Sequence, residues 1–426
     1  MPSKAALHAG AAWQGYASHR RAGNEENTNL TPTSLWQAAR HTRDMLAANA
    51  ADRTIAAAGD NLIMGTARFV SSDTIEIDEQ RVKAKAFVIA TGSHPVVPRF
   101  LSNVEDRVLT TDTLFNMNAL PRSVGILGLG AIGLEIGLAL SRLGVRVVAG
   151  DIQEVPAGIG DPEISARAAS HFASSPNLTM WLGKPLQVRR SANGVSLTNG
   201  EGTEEVEWLL AALGRTPSVT GLQLEAAGLT LDAHGMPSID PHTMRAAQSA
   251  LYFAGDVSAD RSLLHEAADE GTIAGWNAAH HGSPARFHRR TPLSIVFSDP
   301  DLAAVGMPFN QLNLEQTVIG TASGKGNGRS RILGAEHNLV RVYADRRSGK
   351  LLGAGIFAVR GEHIAHLLAW AIQREETAEG LLEMPFYHPT IEEMVQSALS
   401  DIVRQRGVAK AGPTGMQFLA APGQTN

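Results

Sequence analysis

The amino-acid sequence predicts an α/β fold, and three of its features support that class. An apolar strand, Val124–Leu127, runs through a glycine turn into a helix that ends at Gly144. Two more apolar strands, 87–90 and 251–254, end in turn residues or an acid. After Arg289, short strands flank two helices. Strands that alternate with helices indicate parallel sheets, so we predict two Rossmann-like nucleotide-binding domains and a C-terminal α+β domain.

The glycine turn after Leu127 is the most informative motif. Gly128, Gly130 and Gly133 form G-x-G-x-x-G. The first glycine allows the tight turn, the second lets a pyrophosphate approach the backbone, and the third lets the helix pack against the strand. The helix N-terminus offers unpaired N–H groups and a positive dipole end to the phosphates. We therefore predict a dinucleotide site, and Glu135 within the apolar run argues against a membrane span.

An acidic residue completes this motif. A second strand, 145–148, leads to Asp151, which lies 23 residues after Gly128. An acid at about this distance, roughly 20 residues, hydrogen-bonds a ribose 2′-hydroxyl. We expect NAD rather than NADP, because a carboxylate repels a 2′-phosphate and residues 152–160 contain no arginine.

Composition limits the remaining classes of function. The chain has 426 residues, of which 43% are hydrophobic and 19% charged, and its net charge is −5. These values are typical of a soluble globular protein and give no reason to expect a nucleic-acid or membrane partner. The N-terminus lacks the pattern of a secretory signal, so we expect a cytoplasmic location. The absence of cysteine excludes disulfides, thiolate metal sites and thiol catalysis by these residues.

The rest of the chain predicts further elements and boundaries. We expect mostly helix over 1–58 with a loop at Arg21–Thr33, an antiparallel meander over 62–89, a helix over Ser262–His280 and a disordered tail after Gly407. In the C-terminal domain we expect strands Leu293–Phe297, Leu339–Tyr343 and Leu351–Phe357, and helices Gly361–Ala378 and Thr390–Val403. The predicted boundaries are 1–118 for the first nucleotide-binding domain, 119–217 for the second, 218–288 for a central segment that returns to the first, 289–405 for the α+β domain and 406–426 for the tail.

The sequence contains an internal repeat. An apolar strand, then Ala-x-Gly, a polar residue and a nearby proline, occurs at Ala90–Pro95 and again at Ala212–Pro217. We interpret each as the end of a nucleotide-binding domain. The second domain has its glycine turn upstream, but residues 1–90 contain no G-x-G-x-x-G. We therefore expect the first domain to be N-terminally incomplete.

Five motifs, taken in order, resemble a known family. They are Ala90-Thr91-Gly92, the Gly128 turn, Leu213-Gly214-Arg215, Ala254-Gly255-Asp256 and His388-Pro389-Thr390. From Met1 to Val403 the chain resembles the class I pyridine nucleotide-disulfide oxidoreductases, and within them it is most similar to dihydrolipoamide dehydrogenases. The resemblance implies an oxidoreductase that binds FAD and NAD, and a C-terminal domain that forms a homodimer.

The resemblance also accounts for the missing turn. In this family a FAD-binding G-x-G-x-x-G comes first, followed by a redox pair, Cys-x4-Cys, and then by x-Pro-Ser-Lys. This chain begins Met1-Pro2-Ser3-Lys4, one residue after the position of the second cysteine. Two alternatives stay open: the protein starts upstream, or it is a truncated and redox-inactive relative.

The cofactor residues of the family match two sets of positions in this sequence. The resemblance implies FAD contacts at Lys4 (beside the flavin N5), Gly65, Thr91, Gly92, Ser93, Asp256 (on the ribityl chain), Ser262, Leu263, Leu264 and His265. It implies nicotinamide-nucleotide contacts at Gly128, Leu129, Gly130, Ala131, Ile132, Gly133, Leu134, Glu135, Asp151, Gly214 and Arg215.

A histidine and a glutamate match the acid–base pair of the family. His388 and Glu393 have the family spacing of five residues, and a carboxylate on an imidazole fixes its tautomer and raises its basicity. Residues 390–393 are also a capping box, so a structural role for Glu393 stays open. In the family the pair serves the other subunit, which implies a homodimer. His363 and His366, three apart on a helix, lack suitably spaced partners, so we expect helix packing and no metal site.

The function predicted from these residues is FAD-dependent, NAD-linked oxidation of a dithiol to its disulfide, if the full-length protein carries the cysteine pair. A small or protein-bound dithiol such as dihydrolipoamide is the expected substrate. Asp151 and the missing arginines disfavour glutathione reductase, and the tail has no cysteine pair for a mercuric reductase. Two alternatives remain: an NAD(P) transhydrogenase or other reductase of the family, and a redox-inactive, dimeric NAD-binding remnant.

Overall fold

The structure, a computed structural model, describes residues 2–21, 30–407, 413 and 415–416. The chain divides into two compact units. Unit 1 comprises Met1–Arg43, Arg99–Ala212 and Thr291–Asn426, and unit 2 comprises Asp44–Pro98 and Leu213–Arg290. Most of the predicted loop at Arg21–Thr33, and nearly all of the tail after Gly407 that was expected to be disordered, lie outside the described residues.

Helices and strands both occur throughout the described residues. The helices, in chain order, are α1 (Pro2–Arg21), α2 (Pro32–Ala58), α3 (Thr111–Leu114), α4 (Ala131–Arg142), α5 (Pro162–Ala173), α6 (Leu264–Ala279), α7 (Gly328–Ile332), α8 (Gly361–Gln373), α9 (Ala378–Leu382) and α10 (Glu393–Arg406). The strands are β1 (Ala67–Ser71), β2 (Thr74–Ile77), β3 (Gln80–Lys83), β4 (Phe87–Ile89), β5 (Ser93–Pro95), β6 (Val108–Leu109), β7 (Ser123–Leu127), β8 (Arg146–Asp151), β9 (Leu178–Leu182), β10 (Gln187–Ser191), β11 (Gly194–Thr198), β12 (Thr203–Val206), β13 (Trp208–Ala211), β14 (Arg215–Pro217), β15 (Ile239–Asp240), β16 (Arg245–Ala246), β17 (Leu251–Phe253), β18 (Leu293–Val296), β19 (Asp301–Gly306), β20 (Thr317–Ser323), β21 (Leu339–Asp345) and β22 (Leu351–Ala358). Within this part of the chain, no helix is long and apolar enough to cross a bilayer.

Unit 1 contains a parallel sheet in the order β6-β13-β7-β8-β9. All five residues of β7 are buried, as expected for a parallel strand with a neighbour on each side. Ile126 and Val147 of the sheet share one apolar core with Leu134 and Leu138 of α4. The predicted order of strand, glycine turn, helix and parallel strand is therefore confirmed.

The N-terminal helix α1 packs against α4 in the same unit. Its small residues Ala6 and Ala9 are buried in the core that contains α4. A Cβ at Gly10 would lie 2.9 Å from the Cβ of Arg142. The small side chains of α1 therefore allow the close approach that brings Lys4 to the nucleotide-binding domain.

The C-terminal part of unit 1 is an antiparallel sheet in the order β18-β19-β22-β21-β20. Helices α8 and α10 share its core through Leu368 and Leu399, among others. Strands β19 and β20 were not predicted from the sequence. Gly320 resembles a turn residue in the sequence, but it lies in β20. A glycine is needed at this strand position because a Cβ would overlap the carbonyl oxygen of Ala398 in α10.

Two helix boundaries in this domain were wrong. The helix predicted over Gly361–Ala378 ends at Gln373, because Glu375 takes a left-handed conformation with φ 58°. The chain then starts the separate helix α9. The helix predicted from Thr390 begins at Glu393, because the residues before it form a turn.

Unit 2 contains a sheet in the order β15-β16-β17-β4, in which β17 and β4 run parallel. The meander β1-β2-β3 is antiparallel, as predicted. The two ends of the internal repeat meet here, because β5 pairs antiparallel with β14. The α/β class predicted from the sequence, with a separate α+β sheet in the C-terminal part of the chain, is confirmed.

Candidate functional site

The three glycines of the turn in unit 1 differ in their backbone conformation and in the space around them. Gly128 has φ 91°, a left-handed conformation that favours glycine. A Cβ at Gly133 would overlap the carbonyl oxygen of Gly128, whereas a Cβ at Gly130 would meet nothing within 4 Å. The turn thus packs tightly on its helix side and is open at Gly130, where the N-terminus of α4 begins.

Asp151 lies beside this turn. It ends β8, which runs parallel to β7, so both strands reach the same edge of the sheet. Its Oδ2 accepts a hydrogen bond from the Leu129 N–H at 2.6 Å, and its Oδ1 accepts one from the Gln153 N–H at 2.9 Å. The carboxylate is thereby fixed next to the open position of the glycine turn.

Glu135 has its carboxylate bound within the protein. Oε1 lies 2.8 Å from the Nζ of Lys4, and Oε2 accepts a hydrogen bond from the Ser3 hydroxyl at 2.7 Å. The Phe297 N–H donates to the same carboxylate at 3.1 Å. Lys4 also lies over the Phe297 ring, with its Nζ 5.0 Å from the centroid. A buried carboxylate needs such compensation, so this pair joins α1 to α4.

Unit 2 brings Ser93, Arg215 and Asp256 together. The Ser93 hydroxyl donates to Asp256 Oδ2 at 2.8 Å and accepts from the Arg215 guanidinium at 2.7 Å. Arg215 also donates to the Ser93 carbonyl oxygen at 2.6 Å. The family resemblance assigns Arg215 to the nicotinamide nucleotide, but its side chain contacts two residues of the flavin set. Gly92, with φ 70°, makes the turn that leads into this cluster.

The other predicted flavin residues of unit 2 lie at two places. Gly65 packs against the meander, since a Cβ there would lie 2.6 Å from the Ile77 side chain. Ser262, Leu263, Leu264 and His265 form the exposed segment that enters α6. Leu264 is 79% exposed.

The His388–Glu393 pair is formed within one segment of unit 1. Glu393 Oε1 lies 2.9 Å from His388 Nδ1, and Oε2 accepts the Thr390 N–H at 2.9 Å. Burial raises the pKa of Glu393, but the Thr390 N–H and His388 outweigh it and leave that pKa below its usual value. The Glu393 carboxylate thus contacts both the imidazole of His388 and the backbone N–H of Thr390 just before its own helix. The Thr390 hydroxyl does not cap this helix but donates to the Tyr387 carbonyl oxygen.

The two histidines of α8 have other contacts. His366 Nδ1 lies 2.7 Å from the Glu362 carbonyl oxygen, and its ring packs edge-on against Trp370. His363 Nε2 lies 3.6 Å from a carboxylate oxygen of Glu362. Among the described residues, no three His, Cys, Asp or Glu side chains are grouped as metal ligands.

Two buried charged clusters were not predicted from the sequence. In unit 1, Asp161 accepts hydrogen bonds from Arg341 and from the Tyr343 hydroxyl, each at 2.6 Å. Asp161 also caps α5, a role that the Asp-Pro pair at the helix start signals. In unit 2, Arg289 lies between Glu266 and Glu270 of α6. The signal for this cluster was two glutamates at i and i+4 among small residues.

Comparison with known proteins places the chain. The family profile for pyridine nucleotide-disulphide oxidoreductases matches residues 1–281, and the profile for their dimerisation domain matches residues 293–399. The dihydrolipoyl dehydrogenase of Halobacterium salinarum is 31% identical over 360 residues, which cover 80% of this chain and 74% of that protein. The soluble pyridine nucleotide transhydrogenase of Ectopseudomonas mendocina is 28% identical over 348 residues, covering 79% and 74%.

Two solved structures share the fold. The HOCl-induced flavoprotein disulfide reductase RclA of Escherichia coli superposes with a TM-score of 0.80 at 20% identity, covering 94% of this chain and 89% of that one. LpdA of Mycobacterium tuberculosis gives a TM-score of 0.80 at 23% identity, with the same coverage. Members of this family bind FAD and NAD(H). The sequence, the fold and these matches together show that the chain belongs to the pyridine nucleotide-disulphide oxidoreductase family.

Proposed function

We propose that the protein takes part in the NAD-linked oxidation of a dithiol of the dihydrolipoamide class. The reaction converts the dithiol and NAD⁺ to the disulfide, NADH and one proton. The observation that carries the proposal is the His388–Glu393 pair, whose geometry suits proton transfer from a thiol. The dehydrogenase relatives support the choice of substrate.

The nucleotide residues of unit 1 fit NAD. The space at Gly130 accepts a pyrophosphate close to the backbone, and the N-terminus of α4 lies beside it. Asp151 is fixed at the same edge and suits a ribose hydroxyl. Its charge disfavours the 2′-phosphate of NADP.

The polar residues of unit 2 fit the ribityl side of FAD. Asp256 and Ser93 form a hydrogen-bonded pair next to the turn at Gly92. When bound, FAD carries the electron pair between thiols and the nicotinamide. Residues 1–90 hold no G-x-G-x-x-G for its pyrophosphate, so this chain's own contacts are those to the rest of the cofactor.

His388 would accept the substrate proton at Nε2, because Glu393 holds Nδ1. The carboxylate also stabilises the imidazolium that results. The side chain of His388 is 77% exposed, and it lies in a domain of the dimerisation type. We therefore propose that the protein is a homodimer in which His388 serves the partner subunit.

The reaction also needs a redox-active thiol pair, which these residues do not contain. The test compares the 426-residue chain with the same chain extended by the in-frame codons upstream of Met1, measuring NADH formation from dihydrolipoamide and NAD⁺. We expect activity when the extension encodes Cys-x4-Cys. In that protein His388→Gln should lower the rate by about 100-fold with NADH affinity unchanged. A stop codon with no cysteine pair, and no dithiol oxidation, would favour the redox-inactive remnant instead.

A transhydrogenase is the second candidate, favoured by the Ectopseudomonas relative. Transfer of a hydride between two nicotinamide nucleotides needs no dithiol. Reduction of a NAD⁺ analogue by NADPH at a rate independent of added dithiol would favour this candidate over the first.

A further inference from the structure

A buried ion cluster in unit 2 has no part in the function described so far. Glu266 and Glu270 of α6 are 2% and 0% exposed. Arg289 lies between them, 2.7 Å from Glu266 and 3.0 Å from Glu270. Arg261 pairs with the far side of Glu266 at 2.9 Å. Burying a charge costs free energy unless the charge is paired and hydrogen-bonded. The partners of Glu270 therefore show what its buried carboxylate stabilises.

Glu270 connects this cluster to the turn that carries Asp256. Its Oε2 accepts the Gly255 N–H at 2.9 Å and the Ser258 hydroxyl at 3.1 Å. Its Oε1 accepts a hydrogen bond from the Arg289 guanidinium at 3.0 Å. All three partners are donors, and a carboxylate is the side chain that accepts on both of its ends. An amide at this position would turn an NH₂ group toward one set of donors.

The turn itself needs an external support. Gly255 has φ 79° and Ala259 has φ 58°, and a left-handed alanine costs roughly 1 kcal/mol. No side chain caps the short helical turn, 255–258, at its N-cap residue. The hydrogen bonds that Gly255 and Ser258 donate to Glu270 fix both ends of this turn. They thereby fix the direction of the Asp256 carboxylate, which lies between these two residues.

We propose that Glu270 is a positioning residue for flavin binding, which holds the 255–258 turn so that Asp256 meets the ribityl chain. Arg289 acts through Glu270 by compensating its negative charge, and Glu266 pairs with the same guanidinium without touching the turn. This inference rests on the proposed role of Asp256 in binding FAD.

The test uses four variants of the full chain. Glu270→Gln removes the dual acceptor and keeps the volume. Glu266→Gln weakens the same ion cluster but removes no bond to the turn. Asp269→Asn, the matched control, removes the ion pair with Arg290 at 3.3 Å from the same helix. Asp256→Asn tests the flavin role itself.

Two measurements are made on each variant: FAD affinity by titration of flavin fluorescence, and hydrogen exchange of the amides at 255–258 without ligand. Glu270→Gln should weaken FAD binding by about 10-fold, the effect of about 1.4 kcal/mol, and should speed exchange at the turn. Glu266→Gln should lower the melting temperature with FAD affinity unchanged. Asp269→Asn should match the wild type in both measurements.

The outcomes separate this inference from the proposed function. If Asp256→Asn weakens FAD binding and Glu270→Gln does not, the positioning role is wrong and the flavin role of Asp256 stands. If wild type and Asp256→Asn bind FAD equally, or neither binds it, the flavin role fails and the inference fails with it. If Glu270→Gln does not fold, Ser258→Ala replaces it: this variant removes one bond of Glu270, and unchanged affinity and exchange would overturn the proposal.

Discussion

Two strands with the same sequence pattern, β7 and β4, have different surroundings. β7 is buried throughout and pairs with β13 on one side and β8 on the other. β4 is the last strand of its sheet in the described residues, and Val88 is 42% exposed. β7 leads into the predicted NAD turn, and β4 leads into the turn of Thr91 and Gly92. In the described residues, the turn proposed to bind NAD thus follows a central strand, whereas the turn proposed to bind FAD follows a strand at the edge of its sheet.

The two proposed sites also differ in the contacts that hold them. In unit 1 the turn depends on shape: Gly133 has no room for a Cβ, and Gly130 leaves space for a ligand. In unit 2 the contacts involve charged side chains: Ser93, after the turn at Gly92, donates to Asp256, and Glu270 accepts from the 255–258 turn that carries Asp256. Added volume should therefore harm the NAD site most, and a removed charge should harm the flavin site most.

Gly130→Ala is expected to have the largest effect. A Cβ there meets no atom of the protein within 4 Å, so the fold should be unchanged, but the methyl group occupies the space proposed for the pyrophosphate. NADH affinity should fall by about 100-fold in a fluorescence titration, with an unchanged melting temperature.

Gly328→Ala is the matched control for this substitution. Gly328 starts α7 in the same unit, and a Cβ there also meets nothing within 4 Å. It should bind NADH like the wild type. Equal NADH binding by Gly130→Ala and Gly328→Ala would contradict the placement of the pyrophosphate.

Asp151→Asn should change the choice of nucleotide. The amide oxygen can still accept the Leu129 N–H, so the glycine turn should remain, while the Gln153 N–H on the following loop loses its acceptor. The charge that repels a 2′-phosphate is lost. The ratio of NADPH to NADH affinity should rise about 10-fold. Glu154→Gln, which removes an exposed charge three residues later, should change the ratio far less. A larger effect of Glu154→Gln would show that Asp151 does not face the ribose.

Local patterns predicted the parts of the molecule that depend on neighbours in the sequence. The glycine turn, Asp151 and the His388–Glu393 pair were found because each is built within a short segment or at a fixed spacing. The contact of Arg215 with Ser93 and Asp256 joins three distant segments, and no spacing rule encodes it. The same holds for Glu270 and Arg289. Strand β20 was not predicted because Gly320 can indicate either a turn or close packing, and the sequence alone does not distinguish the two.

The stability of unit 1 at low pH tests whether buried titratable groups, and not only close packing, stabilise that unit. His171 lies with its ring centroid 4.2 Å from that of His337. Burial, His337 and Arg142 lower the pKa of His171 to about 4, against a smaller opposing effect of Asp299. The unfolded chain therefore binds more protons than the native state between pH 6.5 and about 4, and stability should fall as pH falls through this window. The loss should be on the order of 1 kcal/mol after allowance for solvent.

His171→Phe keeps a ring against Phe357, whose centroid lies 5.6 Å away, and removes the titration. Chemical unfolding followed at several pH values should show a weaker pH dependence in this variant. His19→Phe, an exposed substitution in α1 of the same unit, should keep the wild-type dependence. The same slope in all three proteins would mean that the histidine pair has no part in acid unfolding.

Two left-handed alanines, one after Asp151 and one after Asp256, should show the smallest difference. Ala157 follows Asp151 with φ 59°, and Ala259 follows Asp256 with φ 58°. Glycine relieves the strain at both positions but makes the unfolded chain more flexible. Ala157 is partly buried against the core of unit 1, so Ala157→Gly also loses the contacts of its methyl group and should be close to neutral. Ala259 is exposed, so Ala259→Gly should raise the free energy of unfolding by about 0.5 kcal/mol, measured by urea denaturation. A gain at Ala157 that equals or exceeds the gain at Ala259 would mean that packing does not distinguish the two turns.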